Sequence, residues 1–519
     1  MDPFVIGFVV ILYFLALVYL GWMGYKKTSN SDDYLVGGRQ MNPIVMALSY
    51  GATFISASAI VGFGGVAAVF GMGIEWLCFL NMFVGVVIAF IFFGRPTRRL
   101  GAKLHAGSFA ELMGKFYKSN GIRIFMSIII FIGMPIYAAV VLKGGAVFVE
   151  RMFGIDFDVA LLVFTLIIAA YVIAGGMKGV MYTDALQAVI MFVCMCFLAF
   201  WIFHVLDMGF TEANGRLTEM SEQVPERLRS LGHQGWTSMP ALGSAQWYTL
   251  VTSLILGVGI GCLAQPQLVV RFMTVKSTKQ LNQGVLIGCV FLAVTVGVIY
   301  YVGALSNLFF VKTEGKLAVD VVPDMDKIIP YFISQAMPAW FSVVFMLCII
   351  SASMSTLSAQ VHTMGAAVGS DVYSVVADKK RKGAKERKTG VIRIGVLVSI
   401  LISYVICYSL SAGVIAKGTS LFMGVCASTF LPAYFCALYW KGVTRQGAMA
   451  SMWTGALVST FCMLFLHEAE SKSIGLCQAL FGCDTLFDGM EPWFRIDPIL
   501  FAFPLSVLVI IVVSKLTKK

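Results

Sequence analysis

The chain has 519 residues, 59% of them hydrophobic and only 13% charged. A soluble domain carries roughly 25% charge, so this deficit and the many apolar runs near 20 residues exclude an ordinary soluble protein and indicate a polytopic membrane protein. The net charge of +11 then belongs to cytoplasmic loops, not to a nucleic-acid surface.

Hydropathy places about thirteen spans in chain order, at 4–24, 43–70, 75–94, 124–149, 158–176, 184–206, 243–265, 284–309, 333–361, 392–411, 415–438, 446–466 and 498–515. The first has no basic flank before it and no small-residue cleavage site after it, so it reads as a span and not as a removed signal. With the N-terminus outside, most of the 38 Lys and Arg residues fall in the odd-numbered loops and at the C-terminus, which are therefore assigned to the cytoplasm of a plasma-membrane protein. The basic run from Lys379 to Lys388 is a topology anchor beside anionic lipid, or a regulatory patch.

Span 2 carries Gly51-Ala52-Thr53-Phe54-Ile55-Ser56-Ala57-Ser58 inside an apolar run. So many small and polar residues imply an interrupted helix, and an interruption frees backbone carbonyls that must meet protein, water or an ion. Span 7 holds a comparable Gly257, Gly259, Gly261, Gln265, Pro266 series, five spans later. That offset predicts two inverted halves, spans 2–6 and 7–11; the competing account is glycine used only for close helix packing. The expected divisions are 1–42 (first span and cytoplasmic loop), 43–206 (first repeat), 207–242 (extracytoplasmic loop), 243–438 (second repeat) and 439–519 (two peripheral helices with an extracytoplasmic loop).

Span 9 carries Ser351-Ala352-Ser353-Met354-Ser355-Thr356-Leu357-Ser358. Ala352, Ser355 and Thr356 stand at i, i+3 and i+4 and share one helix face. Their carbonyl and hydroxyl oxygens, with the carbonyls of Ala52 and Ile55 freed by a break in span 2, offer five neutral oxygens to a dehydrated alkali cation. The alternative is that these hydroxyls bond the preceding turn or join helices.

Most of the twelve Cys lie in apolar runs and read as small core residues. Cys477 and Cys483 share one hydrophilic loop and form either a disulfide or two thiols. No phosphate-binding loop, zinc spacing or catalytic constellation is present, so the chain is not read as an enzyme and an ATP-driven pump has no engine here. A channel would need a continuous polar path, and a transporter-like sensor would need a signalling domain beyond Lys519; neither is expected.

Gly51–Ser58, Ala352–Ser358, the Gly-Gly-Met…Thr-Asp…Gln series at 175–187, Tyr34–Arg39 and Gln265-Pro266…Arg271-Phe272-Met273 resemble the sodium:solute symporter family, from about residue 5 to 460. The resemblance implies an all-α fold with a ten-helix core of two inverted five-helix repeats and broken helices, of the leucine-transporter type. It implies sodium as the coupled ion, held by Ala52, Ile55, Ala352, Ser355 and Thr356. Some members bind a further sodium, for which this chain offers Asp184 and Ser358 but Ala359 in place of another serine. One coupled sodium is the expectation, and Asp184 has a plain alternative as a helix-start carboxylate.

In this family the solute sits between spans 2 and 7, which implicates Ser56, Ser58, Gly62, Tyr137, Val258, Cys262 and Pro266. The sequence resembles the sodium/pantothenate and sodium/proline symporter branch. Thr53–Ser58 is closer to the pantothenate motif, while Ser58, Val258 and Cys262 stand where proline transporters have aromatics. Gly62, Tyr137 and Pro266 match the proline branch. Tyr137 lines the pocket or packs between helices; Lys143 meets a solute carboxylate or snorkels to the interface. The expected partners are sodium, a small organic carboxylate or zwitterion and the bilayer, with the oligomeric state open between a monomer and higher assemblies.

Overall fold

A computed structural model describes residues 3–377, 385–410 and 415–518. Lys379–Lys382, in the basic run, lie outside the described residues. Among the described residues the only extended pairing is one isolated bridge between Met41 and Val275, and the rest is helix and connecting turns. Eleven helices among the described residues are long and apolar enough to cross a bilayer, and the bent pair Pro43–Phe54 and Ser58–Phe70 is a twelfth span broken by 54°. The helix Phe157–Leu206 has 50 residues, about 75 Å at 1.5 Å per residue, more than twice the hydrocarbon thickness of about 30 Å. Its interior residue Gly176 adopts φ 55°, ψ −158°, a conformation that suits glycine and ends one helix before another begins. A side chain there would also strike the Tyr34 ring. Counted as two spans, it brings the total to thirteen.

The spans outlast their apolar cores. Span 3 runs Met72–Lys103 and span 8 Thr278–Glu314, because nothing stops a helix where hydrocarbon ends if its polar residues keep helical propensity. Both long loops, 207–242 and 467–497, contain short helices, Phe210–Glu219 and Glu226–Arg229 in one, Glu468–Ile474 and Leu476–Phe481 in the other. The first of these loops caps span 2: Trp236 Nε1 donates to the Ala68 carbonyl (2.8 Å), and the Met72 amide donates to the Trp236 carbonyl (2.6 Å). Cys477 and Cys483 are both free thiols, with sulfurs 3.9 Å apart.

Span 9, Ala339–Val376, is the most enclosed: 89% of its most apolar stretch is buried, against 17% for span 1, Ile6–Lys26. A helix hydrophobic on every side belongs in the centre, and this one packs against spans 2, 4, 5/6 and 10. Its buried polar residues therefore face protein and not lipid. Span 9 is the pillar beside which the broken span 2 sits.

Candidate functional site

The break in span 2 follows from its hydrogen-bond ledger. Helix Pro43–Phe54 ends at Ile55, which is extended (φ −92°, ψ 106°), and the chain resumes as a wide π-type turn at Ser58–Gly62. An unbroken helix would pair the Ala52, Thr53 and Ile55 carbonyls with the amides of Ser56, Ala57 and Ala59. Instead the Ala59 amide turns to the Ser56 carbonyl (2.9 Å). The freed carbonyls point at span 9, where Ser355 Oγ donates to the Ala52 carbonyl (2.9 Å) and lies 3.2 Å from the Ala352 carbonyl. Thr356 Oγ1 lies 3.1 Å from the Thr53 carbonyl and 3.4 Å from the Ile55 carbonyl. All these residues are buried, at most 1% exposed. Ala52, Ile55, Ala352, Ser355 and Thr356 are thus brought together, and the Thr53 carbonyl joins them. A hydroxyl that donates to a carbonyl can rotate and offer its lone pairs to a cation instead, so this oxygen cluster suits sodium in both charge and composition.

Below it lies a buried ionic network that spacing did not reveal. Arg271 pairs with Asp184 (2.8 Å), with side chains 1% and 0% exposed. The guanidinium also donates to Ser49 Oγ (3.1 Å), to the Gln267 carbonyl (2.6 Å) and to Thr53 Oγ1. Asp184 accepts from Ser49 (2.7 Å), Thr53 (3.3 Å) and Ser358 (3.3 Å). Spans 2, 6 and 9 and the segment after span 7 therefore meet at one charge pair. The available signal was Arg271 itself, a strong base just beyond an apolar run, which in a membrane protein demands a counter-charge.

Span 7 is continuous over Ala245–Ala264 and breaks at its end, whereas span 2 breaks in its middle. It opens with π-type turns at Tyr248–Gly257, a wide-turn geometry frequent at functional sites, and Gln265 is extended (φ −67°, ψ 118°) before Pro266. Gly261 lets it close on span 11, because a Cβ there would collide with the Met423 carbonyl. Ser56, Ser58, Gly62, Val258, Cys262 and Pro266 are all buried around the two breaks. Ser56 and Ser58 share a short hydrogen bond, Thr419 Oγ1 of span 11 donates to Ser58 Oγ (2.9 Å), and the Tyr137 hydroxyl faces Ser56. Tyr137 also lies 5.9 Å, ring to ring, from Phe422. Cys262 Sγ turns to the Gly259 carbonyl (3.1 Å). Lys143 Nζ donates to the Leu410 carbonyl at the end of span 10 (2.5 Å). Thr419 was missed in the sequence, where an isolated Thr-Ser pair in span 11 was its only mark. A cavity of about 790 Å³ opens where spans 2 and 7 share an end, bordered by Val69, Phe70, Gln246, Thr249, Met325 and Lys472.

The model of one family, the sodium:solute symporter family, matches residues 34–455. The chain belongs to the sodium:solute symporter family. Membership fixes the class, a multi-pass transporter that couples a solute to sodium. Sodium/proline symporters from Staphylococcus aureus strains JH9 and NCTC 8325 / PS 47 are 27% identical over 521 aligned residues, covering 98% of this chain and 92% of theirs. A solved Na⁺-coupled sialic acid symporter, substrate-bound and outward-open, superposes with a TM-score of 0.77 at 18% identity over 99% of this chain and 98% of its own. A nucleobase-cation-symport-1 family transporter in a closed conformation, with bromovinylhydantoin bound, gives 0.50 at 12% identity over 94% and 96%. Those likenesses carry the fold, the ten-helix core of two inverted five-helix repeats.

Proposed function

We propose that this member of the family imports a small organic carboxylate or zwitterion, pantothenate-like or a monocarboxylate, with one sodium per cycle, by alternating access across the plasma membrane. The observation that carries the ion site is the set of hydroxyl–carbonyl contacts from Ser355 and Thr356 to the break in span 2. Sodium at Ala52, Ile55, Ala352, Ser355 and Thr356 orders the broken helix and holds the outward-open state. Solute bound beside it among Ser56, Ser58, Gly62, Tyr137, Val258, Cys262 and Pro266 then binds more tightly, and by reciprocity tightens sodium. Lys143, whose Nζ donates to the Leu410 carbonyl, is assigned to the carboxylate of an anionic solute. The mouth at Gln246 and Thr249 is the outer entrance. An inside-negative potential adds about 2.3 kcal/mol per charge per 100 mV.

The single-sodium reading rests on Asp184. Its carboxylate already holds Arg271 at 2.8 Å, and residue 359 is Ala, so a second cation would compete with a guanidinium for one charge. The two inverted repeats are 43–206 and 243–438, preceded by 1–42 (first helix and cytoplasmic loop), separated by the 207–242 extracytoplasmic loop, and followed by two peripheral helices in 439–519. The N-terminus lies outside and the C-terminus in the cytoplasm.

The Staphylococcus aureus relatives favour a second reading, import of proline or another amino acid. Sodium-driven uptake into proteoliposomes of labelled pantothenate, a short monocarboxylate and proline separates the two. Accumulation of pantothenate or the monocarboxylate supports the first, accumulation of proline alone supports the second, and uptake indifferent to a sodium gradient refutes both.

A further inference from the structure

Two cavities of opposite character meet at Tyr25, at the end of span 1. One, of about 510 Å³, is an apolar groove between spans 1 and 5, bordered by Phe14, Leu17, Gly21, Tyr25, Ala170 and Ala174. From Phe14 to Tyr25 the helix rises roughly 16 Å, about the depth of one leaflet's hydrocarbon. The other, of about 600 Å³, is polar and is bordered by Tyr25, Ser29, Asn30, Ser31, Thr389 and Arg393. Trp22 and Tyr25 are half exposed beside it, and Lys26 Nζ lies 3.8 Å from the centre of the Trp22 ring. Aromatic and basic side chains at a helix end mark the headgroup level.

The charge in the polar cavity is unbalanced. Thr389 and Arg393 are one turn apart on span 10 and face it together. The Arg393 guanidinium stands 5.9 Å from the centre of the Tyr34 ring and reaches the Tyr34 hydroxyl, while its Nε is buried without a hydrogen-bond partner and no ion pair to it is found among the described residues. The nearby carboxylates are engaged elsewhere: Asp32, which borders the cavity, is 3.3 Å from Arg39, and Asp33 is 2.6 Å from Lys178. A buried guanidinium nitrogen with no acceptor is costly, and a phosphate oxygen is the acceptor it fits best.

We propose that these cavities form one site for an anionic glycerophospholipid. The headgroup phosphate accepts from Arg393, with the hydroxyls of Thr389 and Ser31 within the same cavity, and one acyl chain lies in the groove from Tyr25 to Phe14. A free phosphate would leave the groove empty, and a choline headgroup would set a cation beside the guanidinium. The groove wall includes Tyr171, whose hydroxyl donates to the Met354 carbonyl of span 9 (3.0 Å). The lipid therefore packs on a side chain that touches the turn carrying Ser355 and Thr356.

The test is native mass spectrometry of the full chain in neutral detergent, titrated with phosphatidylglycerol, phosphatidylcholine or glycerol 3-phosphate. Wild type should retain phosphatidylglycerol about tenfold more tightly than phosphatidylcholine, the factor expected for one charge-assisted contact. Arg393→Gln should remove that preference. Ala170→Trp fills the groove from an exposed position and should weaken both lipids about equally. Equal retention of the two lipids by wild type, or a preference that survives Arg393→Gln, overturns the proposal. Glycerol 3-phosphate bound as tightly as phosphatidylglycerol, with Ala170→Trp silent, would make this a free-anion site and overturn the lipid assignment.

Discussion

Replacing Thr356 by Val keeps the side-chain volume and removes one oxygen from the proposed sodium cage. Thr356 Oγ1 is the span 9 oxygen nearest the Thr53 and Ile55 carbonyls, at 3.1 and 3.4 Å. No other described hydroxyl bridges to those two carbonyls, because Ser355 turns to Ala52 and Ala352. A lost contact to a charged partner is worth about 1.5–3 kcal/mol, or roughly 10- to 150-fold in affinity. The sodium concentration for half-maximal uptake should rise by about that factor, while Thr356→Ser, which restores the hydroxyl, should return most of it. The assay is initial uptake against sodium at fixed solute, with surface expression measured in parallel. A Val variant with wild-type sodium dependence would refute the ligand assignment, whatever its maximal rate.

Ser355→Ala should shift sodium dependence in the same direction, and normal dependence in both variants would remove span 9 from the site. Arg271→Gln leaves the Asp184 carboxylate buried without its cation and should destabilise the protein by about 3–5 kcal/mol; Arg271→Gln with Asp184→Asn should regain part of the lost melting temperature, and a double variant less stable than either single one would contradict the pairing. Lys143→Gln should weaken uptake of an anionic solute and spare sodium half-saturation, whereas unchanged kinetics would remove Lys143 from the solute pocket. Asp497 is buried before the last span, and burial raises its carboxyl from 3.8 to about 6. Its folded value lies above its unfolded one, so its contribution to stability is complete below about pH 4 and is lost as pH rises through 6. Asp497→Asn should therefore raise the melting temperature at pH 8 and change it little at pH 4.5; the reverse order would show that the carboxylate is favoured in the fold.

The interruption of span 2 was legible because Gly51, Thr53, Ser56 and Ser58 cluster where an apolar helix has no use for them. The face shared by Ala352, Ser355 and Thr356 was legible because it needs only helical periodicity. The Arg271–Asp184 pair was not: the partners are 87 residues apart, and which base finds which acid depends on how spans 6, 7 and 9 pack. The extra carbonyl of Thr53 was hidden for a related reason. Sequence can place a break within a few residues, but the carbonyl that turns to Thr356 depends on whether the chain goes extended at Ile55 or a residue earlier. The helical ends of spans 3 and 8 escaped hydropathy altogether, since polar residues beyond the hydrocarbon remain good helix formers.

The most direct test of the central claim is the thermal stability of the purified protein in sodium against potassium at equal ionic strength, with wild type beside Thr356→Val. Sodium bound only by the folded state stabilises it by mass action, so wild type should melt higher in sodium and the variant should lose most of that gain. Identical melting of wild type in the two salts would contradict a sodium site between spans 2 and 9.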